Sequence, residues 1–174
     1  AFVKHILNNN KNCVYIRFAP HPPIASSRPG LIIEEIDPSY GFASFSEKIH
    51  NTILKYSHEK FFLLDNMSFL VEEWATDDLL ANFFQITCPF LGELDTIAYF
   101  ALTRGRHANS VIARIRDTTQ ILIDVYRTDG KLYIHPLKVW NRYSPQMFLP
   151  HQLVDNQWLP IFESGRAAAI SQTA

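Results

Sequence analysis

The sequence predicts an α/β fold in which a mostly parallel sheet is followed by an antiparallel hairpin extension. Three observations support this prediction. Short apolar runs, typical of buried strands, alternate with segments of helical period through about residue 116. From residue 119 onward two strand-like segments flank Asp129-Gly130, which is a strong hairpin turn signal. Prolines then separate short strands up to about residue 162.

The first elements follow from periodicity and composition. Apolar residues at helical spacing predict a helix over Phe2–Leu7, which ends in a run of asparagines. The β-branched and aromatic segments Cys13–Phe18 and Leu31–Ile36 predict strands. An apolar stripe of period 3.6 predicts a helix from Phe42 to about Ser57. The continuous apolar run Phe61–Asp65 predicts a strand that is buried on both faces.

The next elements repeat the alternation. Ser68–Trp74 predicts a short helical turn, and Asp77–Leu91 predicts a helix with two aspartates at its positive end. Thr96–Leu102 predicts a second buried strand, which leads into a basic cluster. Ser110–Arg116 predicts a further helical turn.

The period changes after residue 117. Thr119–Arg127 and Lys131–Trp140 predict the two strands of a β-hairpin. Short strands are expected near Met147–Leu149 and over Trp158–Phe162.

A single domain is therefore expected over residues 1–164, followed by a loose tail or linker over residues 165–174. The first residue is not Met, and the chain begins within a predicted helix. The sequence thus suggests part of a longer protein, with a first strand and a phosphate loop expected before residue 1.

Composition excludes several classes of protein. A content of 47% hydrophobic and 13% aromatic residues is sufficient for a large core and excludes disorder. The 16 Lys and Arg balance 17 Asp and Glu, so no nucleic-acid partner is favoured. No apolar run is long enough to cross a membrane. With only two cysteines and no signal peptide, a cytoplasmic location is expected.

The most informative residue is Asp65, because it ends the apolar strand. In nucleotide-binding α/β folds a carboxylate at this position reaches the Mg²⁺ of a bound nucleoside triphosphate. The alternative is an ordinary helix cap or loop residue. A working site also needs a phosphate cradle of the form G-x-x-x-x-G-K-[ST]. Among the six glycines only Gly130 precedes a lysine, and it lies in the predicted hairpin, so the chain lacks this motif.

Two sets of residues resemble a known family. Asp65-Asn66-Met67-Ser68-Phe69-Leu70 after an apolar strand resembles the Walker B segment of KaiC-like, RecA-type P-loop ATPases. The segments Ile121–Tyr126, Leu137–Val139 and Met147–Leu149 resemble the terminal hairpin of that family. The resemblance implies a three-layer RecA/KaiC-like fold.

A more specific resemblance spans roughly Ala1–Ser171. Its separated blocks occur in order and are Tyr15–Ala19 with His21–Pro23, Ala81–Phe84, Leu94–Leu102 and Asp117–Gln120. They are similar to the N-terminal KaiC-like region of phosphoenolpyruvate synthase-like and PEP/pyruvate-binding proteins. This resemblance implies an accessory domain, since no phosphohistidine loop is present and 174 residues leave no room for the other enzyme modules.

The resemblance also assigns roles to individual residues. Asp65 falls on the Walker B carboxylate, and Ser68 becomes a second candidate nucleotide or Mg²⁺ ligand. Lys138 falls on a hairpin lysine that reaches the nucleotide of a neighbouring subunit, with Arg142 as a substitute for the family's arginine. The catalytic acids of the family have no counterpart in Ala19-Pro20-His21-Pro22-Pro23. His21 could replace them as a base, or it could be a rigid loop residue.

Other residue clusters have two interpretations each. Arg104, Arg106 and His107 follow a predicted strand and could form an anion site. Alternatively, this loop pairs with nearby acids such as Glu72 and Asp77.

No metal site is predicted, since the seven histidines lack ligand spacing. Cys88 is expected to be a core thiol.

The function favoured by these observations is a degenerate KaiC/RecA-like domain that regulates, assembles or senses nucleotide without ATP turnover. Mg-ATP is the candidate cofactor, and the expected partners are further copies of the chain or a fused enzyme. No catalytic residue is assigned, and whether the chain is an enzyme is left open, with a non-enzymatic role favoured. The alternative is an active Mg-ATP-dependent ATPase whose Walker A motif lies before residue 1.

Overall fold

The computed structural model describes residues 2–74, 76–141 and 143–172. The chain divides into two compact units, Ala1–Ile115 and Arg116–Ala174. The division differs from the single domain expected over 1–164. It falls close to residue 117, where the sequence changes from helix and strand alternation to hairpins.

The first unit consists of a parallel sheet and helices. Its helices are α1 (Phe2–Asn8), α2 (Gly41–Lys55), α3 (Leu70–Glu73), α4 (Asp77–Glu93) and α5 (Asn109–Thr118), the last of which continues into the second unit. Its strands are β1 (Cys13–Arg17), β2 (Leu31–Glu35), β3 (Phe61–Asp65) and β4 (Ile97–Phe100). Single 3₁₀ turns cover Ser57–Glu59 and Met67–Phe69.

The four strands are parallel and lie in the order β2-β1-β3-β4. The two central strands are β1 and β3, and they pair Tyr15 with Leu63 and Arg17 with Asp65. The prediction of a strand buried on both faces is confirmed for β3. It is wrong for β4, because β4 is an edge strand in which Ile97 and Tyr99 are exposed.

Alternate residues of the central strands face two different helical layers. Val14, Ile16, Phe62 and Leu64 join a core with apolar side chains of α2, α4 and α5. Cys13, Tyr15 and Leu63 join a smaller core with Val3 and Ile6 of α1. Helices therefore cover both faces of the sheet, which parallel strands require. This arrangement confirms the predicted three-layer α/β fold.

The second unit contains an antiparallel sheet of four strands in the order β5-β6-β7-β8. These are β5 (Ile121–Thr128), β6 (Lys131–Val139), β7 (His151–Val154) and β8 (Gln157–Pro160). The predicted hairpin is confirmed. Asp129 and Gly130 form its turn with φ values of 50° and 72°.

Two predictions for the C-terminal part are wrong. Met147–Leu149 is a pair of turns, while the strand before β8 lies over His151–Val154. Within the tail expected to be loose over residues 165–174, the described residues 165–172 are helical, since α6 spans Ser164–Gln172. Ile170 holds this helix in place, because it packs in a small apolar cluster with Tyr133 and Ile161.

Candidate functional site

Asp65 lies at the carboxyl end of β3 and is buried, with 7% of its side chain exposed. Its Oδ2 accepts a hydrogen bond of 2.7 Å from the Tyr15 hydroxyl of the neighbouring strand β1. Burial, and next this bond, raise the pKa of the Tyr15 hydroxyl above its usual value. His21 Nε2 lies 3.3 Å from the same carboxylate oxygen. Asp65 therefore fixes the loop that follows β1 against the end of β3.

His21 belongs to the proline-rich loop after β1. Its Nδ1 lies 2.8 Å from the carbonyl oxygen of Pro22, and its own carbonyl accepts a bond from Arg17. Because a carbonyl only accepts, Nδ1 bears a proton in this arrangement. Nε2 is the ring atom that faces the Asp65 carboxylate. These contacts agree with the interpretation of His21 as an anchored loop residue.

The segment after β3 is tied to the segment after β4. Asn66 Oδ1 accepts a 3.0 Å bond from the Ser68 backbone N–H, and Asn66 Nδ2 donates to Thr103 Oγ1 over 3.1 Å. The Met67 N–H donates to the carbonyl of Ala101 over 2.9 Å. Parallel strands bring both segments to the same edge of the sheet, where ligands of open α/β folds bind.

Ser68 is the first member of a buried hydrogen-bonded chain. Its Oγ lies 2.6 Å from His107 Nε2 and accepts a 2.8 Å bond from the Thr103 N–H. His107 Nδ1 lies 2.8 Å from Asp77 Oδ1, while Asp77 Oδ2 accepts from the Ala108 N–H over 2.9 Å. That N–H, and next the His107 bond, hold the pKa of the Asp77 carboxyl below its usual range. The turn after β3, the loop after β4 and the start of α4 thus meet at one imidazole.

A cleft of about 220 Å³ opens at this edge of the sheet. Four segments line it: the loop after β1, the turn after β3, helix α3 and the loop after β4. The lining side chains that offer hydrogen-bonding or charged groups are His21, Asn66, Ser68, Glu72, Thr103 and Arg106. The cleft therefore offers more hydrogen-bond donors than acidic groups.

The basic loop after β4 is partly paired with acids. Arg106 forms an ion pair with Glu72, and His107 is bonded to Asp77. Arg106 and His107 therefore pair with acids, which was the alternative interpretation of this loop. Arg104 lies on the same loop and is exposed. Of the three residues predicted to form an anion site, Arg106 is the one that lines the cleft, and the site itself stays a prediction.

Both cysteines are core thiols of the first unit. Cys13 lies in β1 and has no exposed area, while Cys88 lies in α4 and is partly buried. Burial raises the pKa of each thiol to about 11. A thiol with so high a pKa is a poor nucleophile at neutral pH, which agrees with the expectation for Cys88.

Within the described residues, 2–74, 76–141 and 143–172, no group of three or more His, Cys, Asp or Glu side chains is arranged to hold a metal ion. No helix in this part of the chain has the length and apolarity needed to cross a bilayer.

Comparison with known proteins identifies the fold. No protein-family model matches the chain, and no curated protein matches it. Among solved structures, it is similar to the flagellar accessory protein FlaH from Methanocaldococcus jannaschii, with a TM-score of 0.56 and 16% sequence identity. The match covers 90% of this chain and 79% of the FlaH chain. The fold is KaiC/RecA-like.

In this KaiC/RecA-like fold the predicted ligand residues lie at two places. Asp65 and Ser68 are both at the carboxyl edge of the parallel sheet, as predicted, and their role as nucleotide or Mg²⁺ ligands stays a prediction. Lys138 lies in β6 of the second unit and donates to the backbone carbonyls of Arg116 and Asp117. Arg142 lies outside the described residues. The intersubunit role of both hairpin residues also stays a prediction.

Sequence reasoning missed two residues of the site, namely Tyr15 and Thr103. Tyr15 precedes the end of β1 by two residues and so faces the same side as Arg17. Asp77 was expected as a charge at a helix start and as an acid that pairs with the basic loop, and the structure shows that its partner in that loop is His107. Thr103 contributes its backbone N–H, for which the sequence offers no signal.

Proposed function

We propose that this KaiC/RecA-like chain is a regulatory module that senses a phosphate-bearing small molecule, a nucleotide foremost, and does not turn over ATP. The observation that supports this proposal best is the state of Asp65. Its Oδ2 already accepts from Tyr15 and faces His21, and little of its side chain is exposed. A carboxylate used in this way stabilises the fold, whereas hydrolysis requires one that is available to the metal.

The cleft supports an anionic ligand. Arg106 lines it, and a guanidinium matches the geometry of a phosphate better than any other side chain. His21, Asn66 and Ser68 add polar groups on the remaining walls. Glu72 pairs with Arg106 at present, so a ligand phosphate would compete with that carboxylate for the guanidinium. Such competition couples ligand binding to the position of α3.

The residues of the cleft meet only some of the requirements for binding Mg-ATP. Its donors can receive a phosphate group, but no G-x-x-x-x-G-K-[ST] loop is present to enclose the phosphates of a triphosphate. No acid occurs in the loop after β1 to activate a water molecule. We therefore assign binding to these residues and derive no hydrolytic step from them.

The test is calorimetric titration of Mg·ATP, Mg·ADP, ATP without metal and phosphoenolpyruvate into the folded protein, together with an assay of phosphate release. We expect binding that does not depend on Mg²⁺ and no release of phosphate. Arg106→Gln should weaken binding by about tenfold, the effect of losing one charge-assisted bond. Arg28→Gln, in the exposed loop between β1 and β2, is the matched control and should bind as the parent chain does.

Two results would contradict the proposal. Mg²⁺-dependent ATP binding that is lost in Asp65→Asn, with release of phosphate, would establish the active ATPase instead. A folded protein that gives no heat with any of the four titrants would exclude ligand sensing and leave assembly as the role to test.

The proposed regulatory role includes an assembly partner, either further copies of the chain or an enzyme of the phosphoenolpyruvate synthase type. Light scattering coupled to gel filtration, with and without the ligand found by calorimetry, measures the number of copies. Lys138→Ala should lower the assembly state if this lysine reaches a neighbouring subunit. If it acts only on the end of α5, the variant should change thermal stability and leave assembly unaltered.

A further inference from the structure

The chain of hydrogen bonds through His107 has a defined direction. Asp77 is ionised near neutral pH and accepts only, so His107 Nδ1 bears the proton of that bond. In the neutral imidazole Nε2 is then an acceptor. The Ser68 hydroxyl, 2.6 Å from Nε2, donates to it. The order is therefore hydroxyl, imidazole, carboxylate.

This order is the arrangement that activates a nucleophile. A histidine that accepts the proton of a hydroxyl, and that a carboxylate holds in the correct tautomer, acts as a general base toward that hydroxyl. Both distances are within the range for such pairs. The Asp77 carboxylate is itself held in place by the Ala108 N–H. The orientation of the imidazole is thus fixed from both sides.

Two further features favour reactivity at Ser68. The Thr103 N–H donates to Ser68 Oγ, which fixes the position of this oxygen beside His107 Nε2. The His107 side chain has no exposed area, and exclusion of water strengthens each bond of the chain. Ser68 itself lines the cleft, although only 3% of the residue is exposed. A reagent must therefore be small and must enter through the cleft.

We propose that Ser68 is an activated nucleophile that reacts with small acyl esters in the cleft, with His107 as general base and Asp77 as its positioning residue. Ser68 Oγ attacks the carbonyl carbon, and its proton passes to His107 Nε2. The carbon–oxygen bond to the alcohol then breaks, and the same proton passes to the departing alkoxide. Acyl-Ser68 and a free alcohol result. Water then attacks the acyl carbon and gives a proton to His107 Nε2; the bond from carbon to Oγ breaks, the proton passes to Oγ, and a carboxylic acid and the Ser68 hydroxyl result.

This activity goes beyond ligand sensing and requires neither nucleotide nor Mg²⁺. The simplest competing explanation is that the chain of bonds only holds the turn after β3, the loop after β4 and the start of α4 together. The two explanations differ in their chemistry, since a purely structural serine has no enhanced reactivity toward electrophiles. They also differ in their response to added imidazole, which can replace a missing general base but cannot restore a lost structural contact.

The first experiment uses a small alkyl fluorophosphonate, which forms an Oγ–P bond and releases fluoride. The folded chain is treated without nucleotide, and intact mass and peptide mapping identify the modified residue. We expect one adduct, on Ser68, and none in Ser68→Ala. Ser27→Ala removes an exposed loop serine and is the matched control, with labelling like that of the parent chain.

The second experiment measures labelling rates in His107→Ala and Asp77→Asn. Loss of a general base should slow labelling by about 10²–10⁴-fold, and millimolar imidazole should restore part of the rate in His107→Ala. Circular dichroism establishes that each variant is folded. Where His107→Ala does not fold, His107→Gln replaces it in the same measurement.

Absence of an adduct on Ser68 in the folded parent chain, or a rate that is equal in the His107 variants, would overturn the proposal. These outcomes are separate from those of calorimetry, since labelling uses no nucleotide. Labelling without nucleotide binding would refute only the sensing role, and binding without labelling would refute only the nucleophile.

Discussion

The two units of the chain differ in how their sheets are stabilised. The parallel sheet of the first unit has helices on both faces and two apolar clusters that include most of the buried side chains. The antiparallel sheet of the second unit has one small cluster around Tyr133, Ile161 and Ile170. Apolar residues of its first strand, such as Ile121 and Val125, remain exposed.

The difference follows from how each sheet is connected. Parallel strands can be joined only by long crossovers, so their order depends on contacts between residues distant in sequence. Antiparallel strands are joined by tight turns, and two-residue turns such as Asp129-Gly130 set the register locally. The first unit should therefore be sensitive to loss of core volume, and the second to changes at its turns. Four predictions test this contrast.

The largest effect is expected for Phe83→Ala in α4. Phe83 is buried and its ring contacts those of Phe45, Phe84 and Phe100. Removal of a buried aromatic ring leaves a cavity and should lower the free energy of unfolding by about 3–5 kcal/mol. Urea denaturation followed by circular dichroism measures this change. Ile86→Ala, on the exposed side of the same helix, is the control, and an equal loss in both variants would refute the packing argument.

A smaller effect is expected for Ile170→Ala in α6. The cavity should cost about 2 kcal/mol, the lower end for such a truncation, because the cluster of the second unit is small. Hydrogen exchange resolved by mass spectrometry should show faster exchange over α6 and β6, with the first unit unchanged. Ile170→Val, which removes one methyl group, should give an intermediate result. Faster exchange throughout both units would mean that they unfold together.

The turn of the β5–β6 hairpin should respond to Gly130→Ala. At φ 72° an added Cβ is strained, although no atom lies within 4 Å of its position. The expected cost is about 1 kcal/mol. Gly165→Ala in α6, a helix position with space for a methyl group, should be neutral or stabilising. Thermal unfolding compares the two variants, and equal shifts would argue against a conformational cause.

The smallest effect concerns charge on the first unit. The Tyr56 hydroxyl, and next Lys55, hold the pKa of the Glu34 carboxyl below its usual range. Because the folded-state pKa is depressed, this stabilisation is complete above the unfolded-state pKa and is lost as pH falls through the folded-state pKa. The parent chain should therefore exceed Glu34→Gln in stability at pH 7, and the difference should vanish in acid. An exposed pair contributes at most about 1 kcal/mol, and a difference that grew in acid would reverse the assigned sign.

The fold was predictable where one local signal was decisive. Phe61–Asp65 was assigned with its observed bounds because continuous apolar residues before a single acid indicate a central strand. A strand was predicted at Met147–Leu149 because three apolar residues occur together there. The turn residues nearby in sequence were the better indicator of where the strand lies. Asp155-Asn156, with both residues at positive φ, forms the two-residue turn between β7 and β8. Asn and Asp tolerate such angles.

The candidate site was predictable only in part. Asp65, Arg106 and His107 were proposed because they end or follow strands, and Ser68 because of the family resemblance; parallel strands bring such residues to one edge. The groups that bond to these residues lie in segments distant in sequence or belong to the backbone. Asp77 joins His107 across 30 residues of sequence, and the Thr103 contribution is a backbone N–H. Distances of this kind depend on how loops close, which residue type and spacing do not encode.

Because both cysteines lie in the first unit, the rate at which they are alkylated measures how often that unit opens. With a pKa of about 11, only about one folded-state thiol in ten thousand is ionised at pH 7. An alkylating reagent therefore reacts mainly after Cys13 or Cys88 reaches solvent and regains an ordinary pKa. Both lie within Ala1–Ile115, and the remainder of the sequence contains no cysteine. The rate of alkylation consequently reports the opening of the parallel sheet and its helices. Opening of the antiparallel sheet in the second unit does not contribute to it.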